Sequence, residues 1–161
     1  MMTSFKRDEA LRLLEEGNQR HQHGDIEGAK KKYKESIDVH PTADAHTFLG
    51  WMYGIQGRLR LAIRHCRIAI DLDPDFGNPY NDIGVYLMQQ NRLDEAEPWL
   101  RRAMQAERYE PRQFPHLNMG RIHLARKEYG KALDEFRRAL RLAPEDRTAA
   151  AAFRDLVGKL N

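Results

Sequence analysis

The chain repeats itself at intervals of 33 to 36 residues, and a period of that length restricts it to a stack of similar small units. Four glycines carry the repeat: Gly17, Gly50, Gly84 and Gly120, which are 33, 34 and 36 residues apart. Each is followed 12 residues later by an alanine (Ala29, Ala62, Ala96, Ala132), and 7 residues after that by another small residue (Ser36, Ala69, Ala103, Ala139). A proline stands 24 residues after the glycine in three units, at Pro41, Pro74 and Pro144. Coincidence at three positions in four units is too regular for chance.

Each unit reads as two helices. Apolar residues recur at helical spacing, as in Leu49, Met52, Tyr53 and then Leu59, Ala62, Ile63, Cys66, Ile70. Polar turn segments separate them: HGDIEG (23–28), QGRLR (56–60), QNRLDE (90–95) and RKEYGK (126–131). The spacing predicts helices over 5–22, 26–39, 43–56, 60–72, 77–90, 93–107, 113–126, 129–142 and 146–160. Asp25 and Asp146 stand where a carboxylate caps a helix N-terminus, and Pro41, Pro74 and Pro144 stand where a helix must stop. The small residues have a physical reason. Antiparallel helices approach closely only where side chains are short, so glycine on one helix should meet alanine on the other. The bulkier Tyr33, Cys66, Leu100 and Phe136 should plug the space beside that contact.

This arrangement resembles the tetratricopeptide repeat, whose pattern is W-x2-L-G-x2-Y, then A-x3-F, A and P. The second unit supplies His46, Leu49, Gly50, Tyr53, Ala62, Cys66, Ala69 and Pro74. The third supplies Tyr80, Ile83, Gly84, Leu87, Ala96, Leu100 and Ala103; the fourth His116, Met119, Gly120, His123, Ala132, Phe136, Ala139 and Pro144. The first departs most, with Leu13, Glu16, Gly17, Arg20, Ala29, Tyr33, Ser36 and Pro41, and polar Glu16 and Arg20 suit a terminal repeat with one open face. The resemblance implies an all-α, right-handed α-solenoid of four helical hairpins in a single domain over 1–161. Its repeats fall at approximately 10–42, 43–76, 77–112 and 113–146. A capping helix follows at 146–160, burying a stripe of Ala149, Phe153, Leu156, Val157 and Leu160 while Arg154, Asp155 and Lys159 meet water. The third unit breaks the pattern: Arg108 replaces the proline, and the connector ERYEPRQFP lengthens the period by two residues. It reads either as a tolerated loop insertion or as a binding loop carrying Tyr109 and Phe114.

Composition narrows function by exclusion. The 161 residues are 41% hydrophobic and 32% charged, with Lys and Arg interspersed among Asp and Glu to a net charge of +3, so no nucleic-acid partner is expected. Cys66 is the single cysteine, which rules out an intrachain disulfide. MMTSFKRDEALRLL lacks the apolar run of a secretory signal and no stretch is long and apolar enough for a membrane span, so the expected location is the cytoplasm, without membrane insertion. Phosphate-loop, dinucleotide, zinc-protease and nucleophile-elbow motifs are missing, and no enzymatic activity, cofactor or metal is expected. His46, His116 and His123 occupy signature packing positions, as does Cys66.

The remaining class is a scaffold or adaptor for protein–protein interaction. The resemblance implies a concave groove lined by the first helix of each hairpin, binding a peptide or partner segment, with a chaperone-like variant of the same reading. The candidate groove residues are Asn18, Trp51, Asn78, Asn81, Asp82, Val85, Met88, Asn118 and Arg121. Leu14, His21, Gln22, Asp44, Thr47, Ile55, Gln89, Phe114, Leu117 and Ala125 share the same face. Asparagines pair with an extended backbone, Trp51, Val85 and Met88 form an apolar anchor, and Arg121 pairs with a carboxylate. Against this stands plain packing of Trp51 and Met88 between neighbouring helices, and Asn81 and Asn118 as surface residues. Two specialised grooves are ruled out by residue type. The carboxylate clamp of chaperone co-factors keeps only Asn18 of its ligands, with Leu14, Phe48, Asn78 and Asp82 at the others. An asparagine ladder would need asparagine at Glu15, Phe48 and Asp82 as well as at Asn118. The alternative is a self-assembling structural module acting through outer helix faces; the expected state is a monomer or weak homo-oligomer.

Overall fold

A computed structural model describes residues 2–160, with side chains from residue 4. Nine α-helices make up the described residues: α1 (Met2–Gln22), α2 (Ile26–Val39), α3 (Ala43–Ile55), α4 (Leu59–Leu72), α5 (Asn78–Gln89), α6 (Leu93–Gln105), α7 (Gln113–Ala125), α8 (Tyr129–Leu142) and α9 (Arg147–Leu160). The observed ends lie within one turn of the predicted ones. The predicted caps form: Asp25 Oδ1 accepts the Gly28 amide at 2.9 Å, and Asp146 Oδ1 accepts those of Thr148 and Ala149 at 2.9 and 3.0 Å.

The helices pair as antiparallel hairpins, α1–α2, α3–α4, α5–α6 and α7–α8, and each hairpin packs on the next to build a right-handed α-solenoid. The glycine–plug contact explains the spacing seen in the sequence. A methyl group at Gly17 would lie 2.5 Å from the Tyr33 ring, and one at Gly84 would lie 2.6 Å from Leu100. At Gly120 it would overlap Phe136. Tyr33, Cys66, Leu100 and Phe136 are all fully buried. One apolar core, including Tyr33, Leu49, Met52, Ile83, Leu100 and Ile122, runs from α2 to α7. A second closes the end, where Ala149 and Leu156 of α9 cover Leu117, Ala132 and Phe136. Burying a leucine such as Leu156 contributes about 2 kcal/mol. Leu160, predicted to join that stripe, is half exposed.

The connector 106–112 is neither a free loop nor a display of Tyr109. Arg108 bridges in parallel to Phe76: its amide donates to the Asp75 carbonyl at 3.0 Å, and its carbonyl accepts the Gly77 amide at 2.9 Å. The Arg108 guanidinium sits 3.8 Å from the Phe76 ring centroid, bonds Asp73 at 2.7 Å and reaches Asp44 at 3.3 Å. Tyr109 is buried against Gly77, where a Cβ would stand only 2.6 Å from it. Arginine in the proline position therefore ties the longer connector back across the α4–α5 turn.

Candidate functional site

Beyond adjacent helices, α3 meets α5 and α5 meets α7. The row of first helices is therefore the crowded, inner side of the curve, and α2, α4, α6 and α8 form the outer side. The candidate residues lie on the inner row, which positions them through one helical phase per hairpin.

A polar chain crosses from α5 to α7. Asn118 Nδ2 donates to Asn81 Oδ1 at 3.0 Å, and Arg121 Nη1 donates to Asn118 Oδ1 at 3.0 Å. Both asparagines are buried, which corrects the expectation of plain surface residues. An asparagine pair can be buried because each amide offers the other a donor or acceptor. Arg121 remains exposed at the end of the chain. Asp82 lies beside Asn81 and is mostly enclosed. Burial pushes its carboxyl up to about 7, against the opposing pull of the Asn81 side chain. Burial likewise raises the Cys66 thiol and the Tyr86 hydroxyl, with the Asp82 charge adding to both. The Tyr86 hydroxyl is buried and has no hydrogen-bond partner among the described residues.

Next to this polar line stands an apolar one. Trp51 is 45% exposed and Ile55 51% exposed, whereas Val85 and Met88 are half-buried. Met88 packs on the main core, as the packing reading expected, while Trp51 projects and meets the His21 ring edge-on at 4.6 Å. Asn18 Oδ1 accepts the Tyr33 hydroxyl at 2.9 Å, so it is committed to its own hairpin. Thr47 and Leu117, expected on the groove face, are buried: Thr47 Oγ1 donates to the Ala43 carbonyl at 2.8 Å, and Leu117 joins the cap core.

Asn78 lies apart from the Asn81 chain. Its Nδ2 donates to the Glu110 carbonyl at 3.2 Å, and its buried Oδ1 has no partner among the described residues. It lines a cleft of about 480 Å³ with Asp44, Phe48, Arg108 and Glu110. Phe48 and Arg108 were not singled out as site residues from the sequence. The signal for Arg108 was its substitution for proline; Phe48 stood out only as the residue replacing asparagine at a clamp or ladder position, and its ring stacks on Tyr33 at 5.7 Å.

The histidines pack and pair. His46 and His65 approach Nδ1 to Nδ1 at 3.0 Å. Burial pushes both imidazoles down, His65 to about 4, and the neighbouring His46 lowers it further. His116 and His123 bond Glu135 and Glu128 at 2.7 and 2.6 Å. Among the described residues, no three His, Cys, Asp or Glu side chains converge as a metal site, and no helix is long and apolar enough to cross a membrane.

Comparison with known proteins agrees with this architecture. Models of the tetratricopeptide repeat match residues 7–76, 80–108 and 114–146. The type IV pilus assembly protein PilF of Pseudomonas aeruginosa is 30% identical over 139 residues, which cover 86% of this chain and 55% of that protein. The chain thus spans about half the length of the curated relative it matches. The solved structure of P. aeruginosa PilF superimposes with a TM-score of 0.86 at 30% identity, covering 95% of this chain and 70% of that one. PilW, described as a widely conserved type IV pilus biogenesis factor, is 19% identical with a TM-score of 0.79, covering 87% of this chain and 64% of that one. MamA, 19% identical, gives 0.70 over 92% of this chain and 81% of that one. The two last likenesses concern the fold alone. With its periodic glycines, its stacked hairpins and these matches, the chain belongs to the tetratricopeptide repeat family.

Proposed function

We propose that this chain is a non-catalytic protein-interaction scaffold that holds an extended segment of a partner protein along the inner face of repeats two to four, within one repeat domain over 1–161. The observation that carries the reading is that the row of first helices presents both exposed Trp51 and Ile55 on α3 and, from α5 to α7, the Asn81–Asn118–Arg121 chain, which ends on an exposed guanidinium. Apolar side chains of the segment pack on Trp51, Val85 and Met88, and a carboxylate pairs with Arg121. Asp82 and Asn78 offer further polar contacts beside that track, while Asn18 at the edge orders the first hairpin. The relative at 30% identity is named for type IV pilus assembly, and we place the chain in that process. The cytoplasm is the compartment expected from the sequence, and fractionation of the native host tests it.

The test is affinity capture from the native host, comparing wild type with Trp51→Ala/Arg121→Glu. Both side chains are exposed, so the variant keeps its fold. Asn81 is a poor choice here, because its loss leaves the buried Asn118 Nδ2 without an acceptor and disturbs folding. Pilus assembly components enriched by wild type and lost by the variant support the reading. An identical retained set from both proteins refutes the inner face as the working surface. Loss of surface pili in a deletion strain, restored by wild type and not by the variant, tests the process.

A further inference from the structure

The outer face carries a feature that the inner-groove reading leaves unused. Arg58, Arg60, Arg64 and Arg67 fall within ten residues with no acidic residue among them. On the other outer helices several basic side chains are matched locally, Lys30 with Glu27, Lys32 with Glu35, Arg101 with Glu97 and Arg138 with Glu135, while Lys31, Lys34, Arg102 and Arg141 stand without an ion pair among the described residues. None of the three arginines on α4, nor Arg58 at its N-cap, has an ion-pair partner among the described residues, and the first turn has no acid. Cations at a helix N-terminus oppose the helix dipole, and like charges one turn apart repel. Within the fold this cost is offset only by aromatic contacts, Arg58 over the Tyr53 ring at 5.4 Å and Arg67 over the Trp99 ring.

Arg60, Arg64 and Arg67 line up along one side of α4, facing the start of α6. There they rim a cleft of about 610 Å³ floored by Ile63 and Ile68, with Arg92 on the opposite wall. Arg92 is bonded to Glu95 at 2.6 Å, and Asp71 is the single carboxylate on the lining, a turn beyond Arg67. Arg67 lies 5.6 Å from the Trp99 ring, which steadies it. We propose that this cleft between α4 and α6 docks an acidic segment of a partner protein, with carboxylates on Arg60, Arg64 and Arg67 and an aliphatic side chain against Ile63 and Ile68. Guanidinium groups favour carboxylates because their paired N–H donors match the two oxygens, and the apolar floor selects a peptide over a bare anion.

The test uses a fluorescein-labelled peptide of four Glu-Glu-Leu triplets, with a Gln-Gln-Leu peptide as the neutral probe, read by anisotropy at low salt. The α4 variant is Arg60→Glu/Arg64→Glu; the control is Arg141→Glu/Arg147→Glu, which changes net charge equally at exposed sites elsewhere. Wild type should bind the acidic peptide and not the neutral one. The α4 variant should weaken binding by at least about tenfold and the control by less than about twofold. Circular dichroism confirms that both variants keep their helices. Equal losses in the two variants, no binding by wild type, or equal binding of the neutral peptide would overturn the proposal. So would tighter, Arg60/Arg64-dependent binding of phosphatidylglycerol vesicles or of a single-stranded oligonucleotide. Trp51→Ala/Arg121→Glu should bind the acidic peptide as wild type does, so this site and the inner groove stand or fall separately.

Discussion

Replacing Asp82 by asparagine should stabilise the protein, and do so more as pH rises. The side chain keeps its shape and its neighbour Asn81, but loses a charge that the fold encloses. Its carboxyl titrates near 7 when folded, against an ordinary value of 3.8. A folded-state pKa above the unfolded one means that the native protein holds the proton more tightly. The associated stability is fully present below about 4 and is lost as pH rises through about 7. Every tenfold difference in proton affinity between the folded and unfolded chain corresponds to about 1.4 kcal/mol. The ionised carboxylate therefore costs at most about 4 kcal/mol at pH 8, and somewhat less because its groove side meets solvent. Only the stretch from pH 5 to about 7 lies between two convenient conditions. The advantage of Asp82→Asn over wild type should therefore grow by about 2 to 3 kcal/mol from pH 5 to pH 8. Urea denaturation followed by circular dichroism at both pH values reads this directly, and the histidines cancel because both proteins carry them. If the two proteins keep a constant difference across that range, or if the variant is less stable at pH 8, the carboxylate is not desolvated and the reasoning fails.

The histidine pair has the opposite sign: His65 and His46 are held neutral, so wild-type stability should fall as pH drops from about 6.5 towards 4. His65→Gln should flatten that part of the curve in thermal melts. Gly120→Ala should destabilise by about 1 to 3 kcal/mol because Phe136 is fully buried and has nowhere to move. Gly130→Ala, which points into open space on α8, should be neutral or stabilising by up to about 1 kcal/mol, and a reversed order in denaturation midpoints would contradict the hairpin geometry. Asn81→Ala should cost about 1 to 3 kcal/mol by leaving the buried Asn118 Nδ2 donor unpaired, whereas Asn81→Ala with Asn118→Leu should recover part of it; a double-mutant cycle measures the coupling.

The sequence by itself determined the stack. Contacts inside a hairpin and between adjacent hairpins join positions at fixed separations, so they recur with the period. Gly17, Gly84 and Gly120 announced their plugs Tyr33, Leu100 and Phe136 by spacing alone, and Asp25 and Asp146 announced their caps. The inner row of first helices was implied by the resemblance and not by the period, and Thr47 and Leu117, expected on its open face, are buried. What the tertiary structure decided lies between repeats and outside the period. Asn81 and Asn118 meet across 37 residues, and Arg108 reaches Asp44 across 64. Which side chains touch there depends on how far each hairpin turns and rises over the last, a quantity with no residue signature of its own. The burial of Asp82 and the arginine-rimmed cleft between α4 and α6 arise in the same way. Each is made by two helices whose separation only the assembled superhelix sets, so residues that look alike in the sequence end as buried partner, exposed anchor or unmatched charge.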